Sequence, residues 1–351
     1  MKAMTPNKMK AIVKTKAEPG IDVIEMEVPA VGENDILLKV NAVGVCGSDV
    51  HIYEWTTGYE WLPMPLVIGH EFAGEVVEIG GNVKGVAKGD RITALPGFAC
   101  GECEFCQMGR VKDCKNHQVL GLRHNGAFSE YMRIKGTADI LKIPDNVSDE
   151  IAALIEPLAV CLRGFDLSGI KPGQSAAVFG PGPIGLLMIQ LLKAAGAGQI
   201  IVTGTSADGR RFEIAKQLGA DVIIDVSKED PVKRIKEIAG SLDFVFEATG
   251  ISRTISQGLQ MLHWGGKVIV IGIHAENTTF DTIDLVRQQK SIIGVYGYDS
   301  NIWRRCLALM SSGKVDLSPV ITHQFSFSQG IEGFELASNK TAAKVIFGPE
   351  K

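Results

Sequence analysis

Between residues 175 and 297 the sequence alternates short apolar runs with amphipathic stretches. The runs are SAAVFG, QIIVTG, ADVIID, LDFVFEATG, GKVIVIG and SIIGVYG, and stretches such as RRFEIAKQL and PVKRIKEIA lie between them. Short runs rich in β-branched residues, separated by helical patterns, predict strands and helices in alternation. Because each crossover between parallel strands is right-handed, this order predicts a doubly wound α/β domain with helices on both faces of the sheet.

The first of these strands runs directly into a glycine-rich turn, GPGPIG, which begins at Gly180. A G-x-G-x-x-G pattern between a buried strand and a helix is a fingerprint of dinucleotide binding. Gly180 permits the tight turn, Gly182 lets the backbone approach the pyrophosphate, and Gly185 packs the helix against the strand. Pro183 and Ile184 begin the helix, whose N-terminus faces the phosphate charge. The turn therefore predicts a bound dinucleotide.

The end of the second strand indicates which dinucleotide is bound. An NAD site usually has an acidic residue there for the ribose 2′-hydroxyl. This chain has Gly204, then Thr205 and Ser206, with Arg210 and Arg211 close behind. Hydroxyls and guanidinium groups can bind a 2′-phosphate, and no carboxylate at the strand end repels it. The segment favours NADP over NAD, unless the two arginines are simply solvated residues of a first helical turn.

The N-terminal region has a different pattern of apolar and polar residues. Stretches such as DILLKVNAVGV and VIGHEFAGEVVEIGGNV alternate apolar and polar residues between glycines and prolines, which predicts a compact, mostly antiparallel β-rich domain. After residue 297 come a helical pattern and two further strand patterns, ITHQFSF and AAKVIFG. We expect this tail to rejoin the first domain. The predicted division is 1–160 with 298–351 for one domain and 161–297 for the other.

Four cysteines lie close together in the pattern C-x2-C-x2-C-x7-C, at Cys100, Cys103, Cys106 and Cys114. Four thiolates in one short loop are typical of a closed structural zinc site. An iron–sulfur cluster is the alternative, but the bacterial cluster pattern ends with a three-residue spacing and Cys-Pro, which this chain lacks. Disulfides are disfavoured, because an odd total of seven cysteines without an apolar leader indicates a reducing, cytoplasmic setting.

A second group of possible metal ligands is spread along the chain. Cys46 and His70 are the soft donors that a catalytic zinc prefers, and Glu71 and Glu156 offer oxygen. Ser48 and His51 follow Cys46 closely. An alcohol that is oxidised must lose its hydroxyl proton, and a hydroxyl followed by an imidazole can carry that proton outward.

Charge and hydropathy exclude several other classes of protein. Charged residues make up 22% of the chain and the formal net charge is −4, with no basic run. Nucleic acid is therefore an unexpected partner. No apolar run approaches the roughly 20 residues needed to span a bilayer, so no membrane association is expected.

Taken together, these motifs resemble those of the zinc-dependent medium-chain alcohol dehydrogenases, over essentially the whole length. The resemblance rests on CGSDVH from Cys46, GHEFAG from Gly69, the four-cysteine segment, Glu156-Pro157-Leu158 and the GPGPIG turn. It implies a GroES-like catalytic domain, a Rossmann coenzyme domain and NAD(P)-dependent alcohol oxidation. It also implies catalytic zinc at Cys46, His70 and Glu156 with Glu71 adjacent or exchanging, and a homotetramer or, as the alternative, a dimer.

The branch of the family is indicated by smaller features. The segment LIEPLAV, at residues 154–160, is similar to sorbitol and other polyol dehydrogenases. VHIY after Asp49 is similar to L-threonine 3-dehydrogenases, but that branch commonly has a histidine where this chain has Gly97. We therefore predict a polyol or related secondary alcohol, with L-threonine as the alternative substrate. A non-catalytic NADPH-binding redox sensor is the alternative from another class.

Overall fold

The computed structural model describes residues 5–110, 113–136 and 138–350. The described residues up to Glu156 and from Ile321 onward form one compact unit, and Pro157–Val320 form the other. The second boundary differs from the one expected at 297/298. Residues 298–320 lie with the second unit because they bond to it: Arg305 pairs with Asp166, with one nitrogen–oxygen distance of 2.9 Å, and the backbone N–H of Asp316 donates to Gln190 at 2.9 Å.

The N-terminal part of the first unit is built on antiparallel strands. In chain order its elements are β1 (Lys8–Lys14), β2 (Asp22–Glu27), β3 (Asp35–Gly44), α1 (Gly47–Glu54), β4 (Leu66–Val67), β5 (Glu71–Ile79), β6 (Arg91–Ala94), β7 (Gly97–Phe98), α2 (Glu104–Gln107), β8 (Gln118–Val119), β9 (Tyr131–Lys135), β10 (Ile140–Lys142) and α3 (Asp149–Ala153). Strand β3 is central, since β5 and β9 both pair with it. Its residues are almost all buried, as expected for a strand covered on both faces.

The second unit alternates strands and helices as predicted. Its elements are α4 (Ile155–Ser168), which begins at the end of the first unit, β11 (Ser175–Phe179), α5 (Pro183–Ala194), β12 (Gln199–Gly204), α6 (Gly209–Leu218), β13 (Val222–Asp225), α7 (Pro231–Ala239), β14 (Leu242–Glu247), α8 (Ser252–Met261), β15 (Leu262–Val270), α9 (Thr282–Arg287), β16 (Ser291–Gly294) and α10 (Ser300–Ser311). The strands are parallel, in the order β13-β12-β11-β14-β15-β16. The predicted doubly wound sheet is confirmed.

Helix α5 shows why its sequence is apolar on more than one face. Its central residues 185–189 are all buried, because the helix lies against the parallel sheet. None of the described helices combines the length and the apolar composition that crossing a bilayer requires.

The chain ends in the first unit, through β17 (Ile321–Ser326), α11 (Gly330–Ser338) and β18 (Lys344–Gly348). Strand β18 pairs with β3 in antiparallel fashion, with Ile346 opposite Gly44, and with β17 in parallel. The tail therefore rejoins the first unit as expected, and α11 is an element that the sequence patterns did not reveal. This pairing carries Lys344 to the end of β3.

Candidate active site and metal centres

The pairing of β3 with β5 brings Cys46 and His70 together. In this antiparallel register Gly44 lies opposite Glu71. The two chains therefore run side by side just beyond the paired residues, where Cys46 follows β3 and His70 precedes β5. The Cys46 and His70 side chains lie within hydrogen-bonding reach of each other. Two residues far apart in sequence thus meet because of strand register.

Helix α1 positions the residues that follow Cys46. Cys46 is the N-cap of this helix, in extended conformation, and its backbone N–H donates to the Asp49 carboxylate at 2.9 Å. Ser48 is half-buried and His51 is exposed. The rings of His51 and Tyr59 stack with centroids 6.3 Å apart. Because residues three apart lie on the same face of a helix, Ser48 and His51 share one face of α1. Their predicted role as a proton relay stays a prediction.

Asp49 and His70 face each other in the interior. Asp49 is fully buried, and its Oδ1 lies 3.8 Å from His70 Nδ1. Within the described part of the chain neither atom has a hydrogen-bond partner. Burial raises the pKa of Asp49. Burial opposes protonation of His70, but the negative charges of Asp49 and Cys46 outweigh it and raise the His70 pKa well above its ordinary value. The site therefore favours a positive charge, which a metal cation supplies.

Glu71 forms a buried ion pair that the sequence did not indicate. Its two carboxylate oxygens lie 2.8 and 2.5 Å from Lys344 Nζ, and both side chains are at most 2% exposed. Lys344 also donates to the carbonyl of Val45 at 2.8 Å. A Cβ at Gly44 would lie 2.2 Å from a Glu71 oxygen, so this glycine makes room for the carboxylate. Glu71 would have to leave Lys344 to reach a metal.

Glu156 completes the predicted ligand set from the start of α4. It is 9% exposed, and its negative charge acts on both His70 and Lys344. The thiol, imidazole and buried carboxylates fit the donor preference of zinc. They are not tightly gathered, however: among the described residues, groups of three or more donors within 4.8 Å of one another occur only at the four cysteines. The ligand roles of Cys46, His70, Glu71 and Glu156 stay predictions.

The four cysteines of the second centre, Cys100, Cys103, Cys106 and Cys114, are already arranged as a closed site. The sulfur–sulfur distances are 3.9 Å for Cys100–Cys106, 3.5 Å for Cys103–Cys106, 3.8 Å for Cys103–Cys114 and 3.5 Å for Cys100–Cys114. Four sulfurs around a tetrahedral zinc would be about 3.8 Å apart. A backbone hydrogen bond from Cys106 helps to lower the pKa of Cys103 to about 6. The geometry fits the predicted structural zinc.

The glycine-rich turn of the second unit has the form that a dinucleotide requires. Gly180 has a φ of +89°, and a Cβ at Gly185 would lie 1.9 Å from the Gly180 carbonyl oxygen. A Cβ at Gly182 would meet nothing within 4 Å, so the backbone there borders open space. Helix α5 begins at Pro183, immediately after Gly182, and directs its free N–H groups towards that space. The turn fits a bound pyrophosphate.

The end of β12 carries more negative charge than the sequence suggested. Thr205 Oγ1 donates to the Asp208 carboxylate at 3.0 Å, and Arg211 Nη1 donates to the same carboxylate at 3.1 Å. Both charged side chains are largely buried, whereas Arg210 is exposed. Arg211 is therefore engaged by Asp208, and the predicted phosphate-binding role of the two arginines stays untested.

Comparison with known families agrees with this fold. The alcohol dehydrogenase GroES-like domain matches residues 32–145, and the zinc-binding dehydrogenase family matches residues 183–312. The chain belongs to the zinc-dependent medium-chain alcohol dehydrogenase family. It is an NAD(P)-dependent oxidoreductase that acts on an alcohol, which confirms the predicted class of enzyme.

Individual relatives cover nearly the whole chain. L-threonine 3-dehydrogenase of Alteromonas mediterranea is 36% identical over 96% of this chain and 99% of its own length. Among solved structures, a zinc-binding dehydrogenase of Sinorhizobium meliloti 1021 bound to NADP is 33% identical, with a TM-score of 0.89 over 98% of this chain and 100% of that one. The 2R,3R-butanediol dehydrogenase of Bacillus subtilis is 34% identical, with a TM-score of 0.88 over 97% and 100%.

Proposed function

We propose that the protein oxidises a secondary alcohol of the polyol or vicinal-diol type to a ketone, with NADP as the hydride acceptor. The observation that carries the proposal is the approach of Cys46 to His70 in a buried, negatively charged setting beside Asp49. Similarity to a butanediol dehydrogenase supports a substrate that has a second hydroxyl next to the reacting one.

Each residue of the site has a defined task in this proposal. Cys46, His70 and Glu156 would hold a zinc ion, which when bound would supply a Lewis acid that makes an alcohol more acidic. The Ser48 hydroxyl accepts the hydroxyl proton of the substrate as it gives up its own proton, which passes through the coenzyme ribose or water towards His51 and from there to solvent. The backbone of the GPGPIG turn orients the coenzyme, whose nicotinamide carries the redox chemistry. Lys344 keeps Glu71 in place beside the ligands.

Gly97 supports a polyol over L-threonine. A Cβ at this position would lie 2.8 Å from the His117 ring. A histidine at position 97, as in the threonine branch, would therefore displace His117. The absence of that histidine supports a substrate other than L-threonine.

The proposed preference for NADP rests on the end of β12. Gly204 lacks the carboxylate that binds the ribose 2′-hydroxyl in NAD sites. The relative from Sinorhizobium meliloti, similar over the whole chain, is bound to NADP.

A panel of alcohols tests the substrate. Sorbitol and other polyols, 2,3-butanediol, primary alcohols and L-threonine would each be assayed with NADP⁺ and NAD⁺ by the absorbance of the reduced coenzyme. We expect the highest kcat/KM for a polyol or vicinal diol with NADP⁺. Oxidation of primary alcohols alone would contradict the proposal.

L-threonine is the second candidate substrate. Similarity to the L-threonine 3-dehydrogenase of Alteromonas mediterranea supports it. L-threonine and 2,3-butanediol share a secondary alcohol beside a carbon that bears a polar group, so one zinc site could serve either. A kcat/KM for L-threonine above that for every polyol would favour this candidate. One zinc per chain, with no alcohol in the panel oxidised, would favour the redox sensor.

We also propose a cytoplasmic homotetramer. None of the seven cysteines forms a disulfide, which supports a reducing compartment. Strand β16 ends the parallel sheet, and Ile273, Val286 and Tyr296, which flank β15 and β16 in the chain, are 77%, 72% and 94% exposed. An edge strand with exposed apolar neighbours supports pairing with another copy. Light scattering after size-exclusion chromatography tests whether the particle has four times the chain mass of 37.7 kDa.

A further inference from the structure

Strands β12 and β13 end side by side, and polar residues from both ends meet there. Gly204 is paired with Asp225 in the parallel register. Beyond these positions, Ser206 Oγ donates to Asp225 at 2.6 Å, and the backbone N–H of Ser227 donates to Asp225 at 3.0 Å. Lys228 Nζ lies 2.9 Å from Asp225. We call Ser206, Asp225, Ser227 and Lys228 the strand-end cluster.

The hydrogen bonds of the strand-end cluster show which donors are still available. Hydrogen bonds from Ser206 and Lys228 lower the pKa of Asp225 to about 2. Its carboxylate is therefore charged, and it is paired with the Lys228 ammonium. The hydroxyl proton of Ser206 is committed to Asp225. Ser227 Oγ accepts from the backbone N–H of Ser206 at 3.2 Å, which leaves its own proton available to a ligand. Lys228 has three N–H donors, uses one on Asp225, and is 73% exposed.

The arginines of α6 are less well placed for a ligand at the end of β12. Arg211 is 13% exposed and is paired with Asp208. Arg210 lies in the first turn of α6 and is solvent-exposed. The hydroxyl of Ser227 and the ammonium of Lys228, by contrast, are linked to Ser206 and to Asp225, the residue that is paired with Gly204.

We propose that Ser227 and Lys228 recognise the 2′-phosphate of NADP. This inference rests on the proposed preference for NADP. The ion pair with Asp225 places the exposed Lys228 ammonium at the strand end. Ser227 is held there by two hydrogen bonds, one accepted from the backbone of Ser206 and one donated by its own backbone to Asp225. A phosphate dianion accepts charge-assisted hydrogen bonds from an ammonium, whereas the ribose hydroxyl of NAD gains little from the cation. The contact therefore separates the two coenzymes.

Direct binding of NADPH and NADH to the full chain tests the proposal, with dissociation constants from isothermal titration calorimetry. We expect Lys228→Ala to weaken NADPH binding about tenfold, the loss of one charge-assisted bond at an exposed site, and to change NADH binding less than about twofold. Lys228→Arg keeps the charge and should keep most of the preference. Ser227→Ala should weaken NADPH binding about threefold. Because Lys228 is exposed, added salt should weaken NADPH binding more than NADH binding.

Lys216→Ala is the matched control. Lys216 is also exposed and also pairs with an acidic residue three positions earlier, Glu213 at 3.0 Å, but it lies along α6. We expect Lys216→Ala to change neither the dissociation constant of NADPH nor that of NADH. Equal affinity of the natural chain for both coenzymes would overturn the proposal. So would an unchanged NADPH-to-NADH ratio in Lys228→Ala, or a loss of preference in Arg210→Ala alone.

The same measurements separate this inference from the proposed reaction. A preference for NADPH that disappears in Lys228→Ala supports the inference even if no alcohol in the panel is oxidised. Conversely, an alcohol oxidised with an unchanged coenzyme preference in Lys228→Ala sustains the reaction and overturns the inference.

Discussion

The two predicted metal centres of the first unit are built in opposite ways. The four cysteines come from one loop, and their sulfurs are already 3.5–3.9 Å apart. The other centre takes Cys46 from the end of β3, His70 from the start of β5 and Glu156 from the start of α4. Its donors are more loosely gathered and are surrounded by buried charges.

This difference separates a structural site from a chemical one. Four thiolates complete the coordination of zinc and leave no position for a substrate. Three donors from distant segments would leave one coordination position of a zinc for a substrate. The buried charges of Asp49 and Lys344 lie close to these donors. We therefore expect that each centre can be removed while the other is kept.

The largest effect is expected for Cys46→Ser. This change removes a predicted ligand of the catalytic centre, and we expect kcat to fall by at least about 10³-fold as the Lewis acid is lost. Metal analysis should show that zinc falls from two ions per chain to one, while NADPH binding is unchanged. Activity near that of the natural protein with one zinc per chain would contradict the assignment.

The next effect concerns the buried charges around the catalytic centre. Lys344→Met leaves the carboxylate of Glu71 buried without its partner, so we expect the free energy of unfolding to fall by about 3 kcal/mol, as measured in urea. The double variant Glu71→Gln with Lys344→Met is the control and should recover most of the loss. Burial opposes the charge of Lys344, but Glu71 and Cys46 raise its pKa overall. The pair should therefore persist up to the ordinary lysine pKa of 10.5 and weaken only as the pH rises above it.

The smallest effect is expected for Cys103→Ser in the four-cysteine centre. One zinc per chain should be lost and the free energy of unfolding should fall by about 2 kcal/mol, because the loop loosens locally while both cores remain. Turnover per folded molecule should stay within about threefold of the natural protein. A loss of turnover equal to that of Cys46→Ser would show that the two centres are not independent.

Features that depend on neighbouring residues in the sequence could be predicted well. The four-cysteine site, the GPGPIG turn and the alternation of strands and helices from residue 175 were all visible because spacing and periodicity are local properties. The buried network around His70 was not visible in this way. The only sequence feature that singles out Asp49 is its position in the first turn of α1. Nothing in the sequence pattern connects Lys344 with Glu71.

The end of β12 shows the same limit within the second unit. The sequence that follows Gly204 predicted Arg210 and Arg211 as ligands of the 2′-phosphate. The structure instead brings in Asp225 from the end of β13 and Lys228 from the turn after it, because parallel strands place their ends together whatever the distance along the chain.

The sequence by itself determined the two kinds of domain, the family and the residue types that can bind zinc and a dinucleotide. Only the tertiary structure decided which charges face each other, such as Glu71 with Lys344 and Asp49 with His70. The physical reason is that ligand spacing in a loop is fixed by chain connectivity. The charge around a buried site is fixed by strand register, which brings together residues that are remote in the sequence.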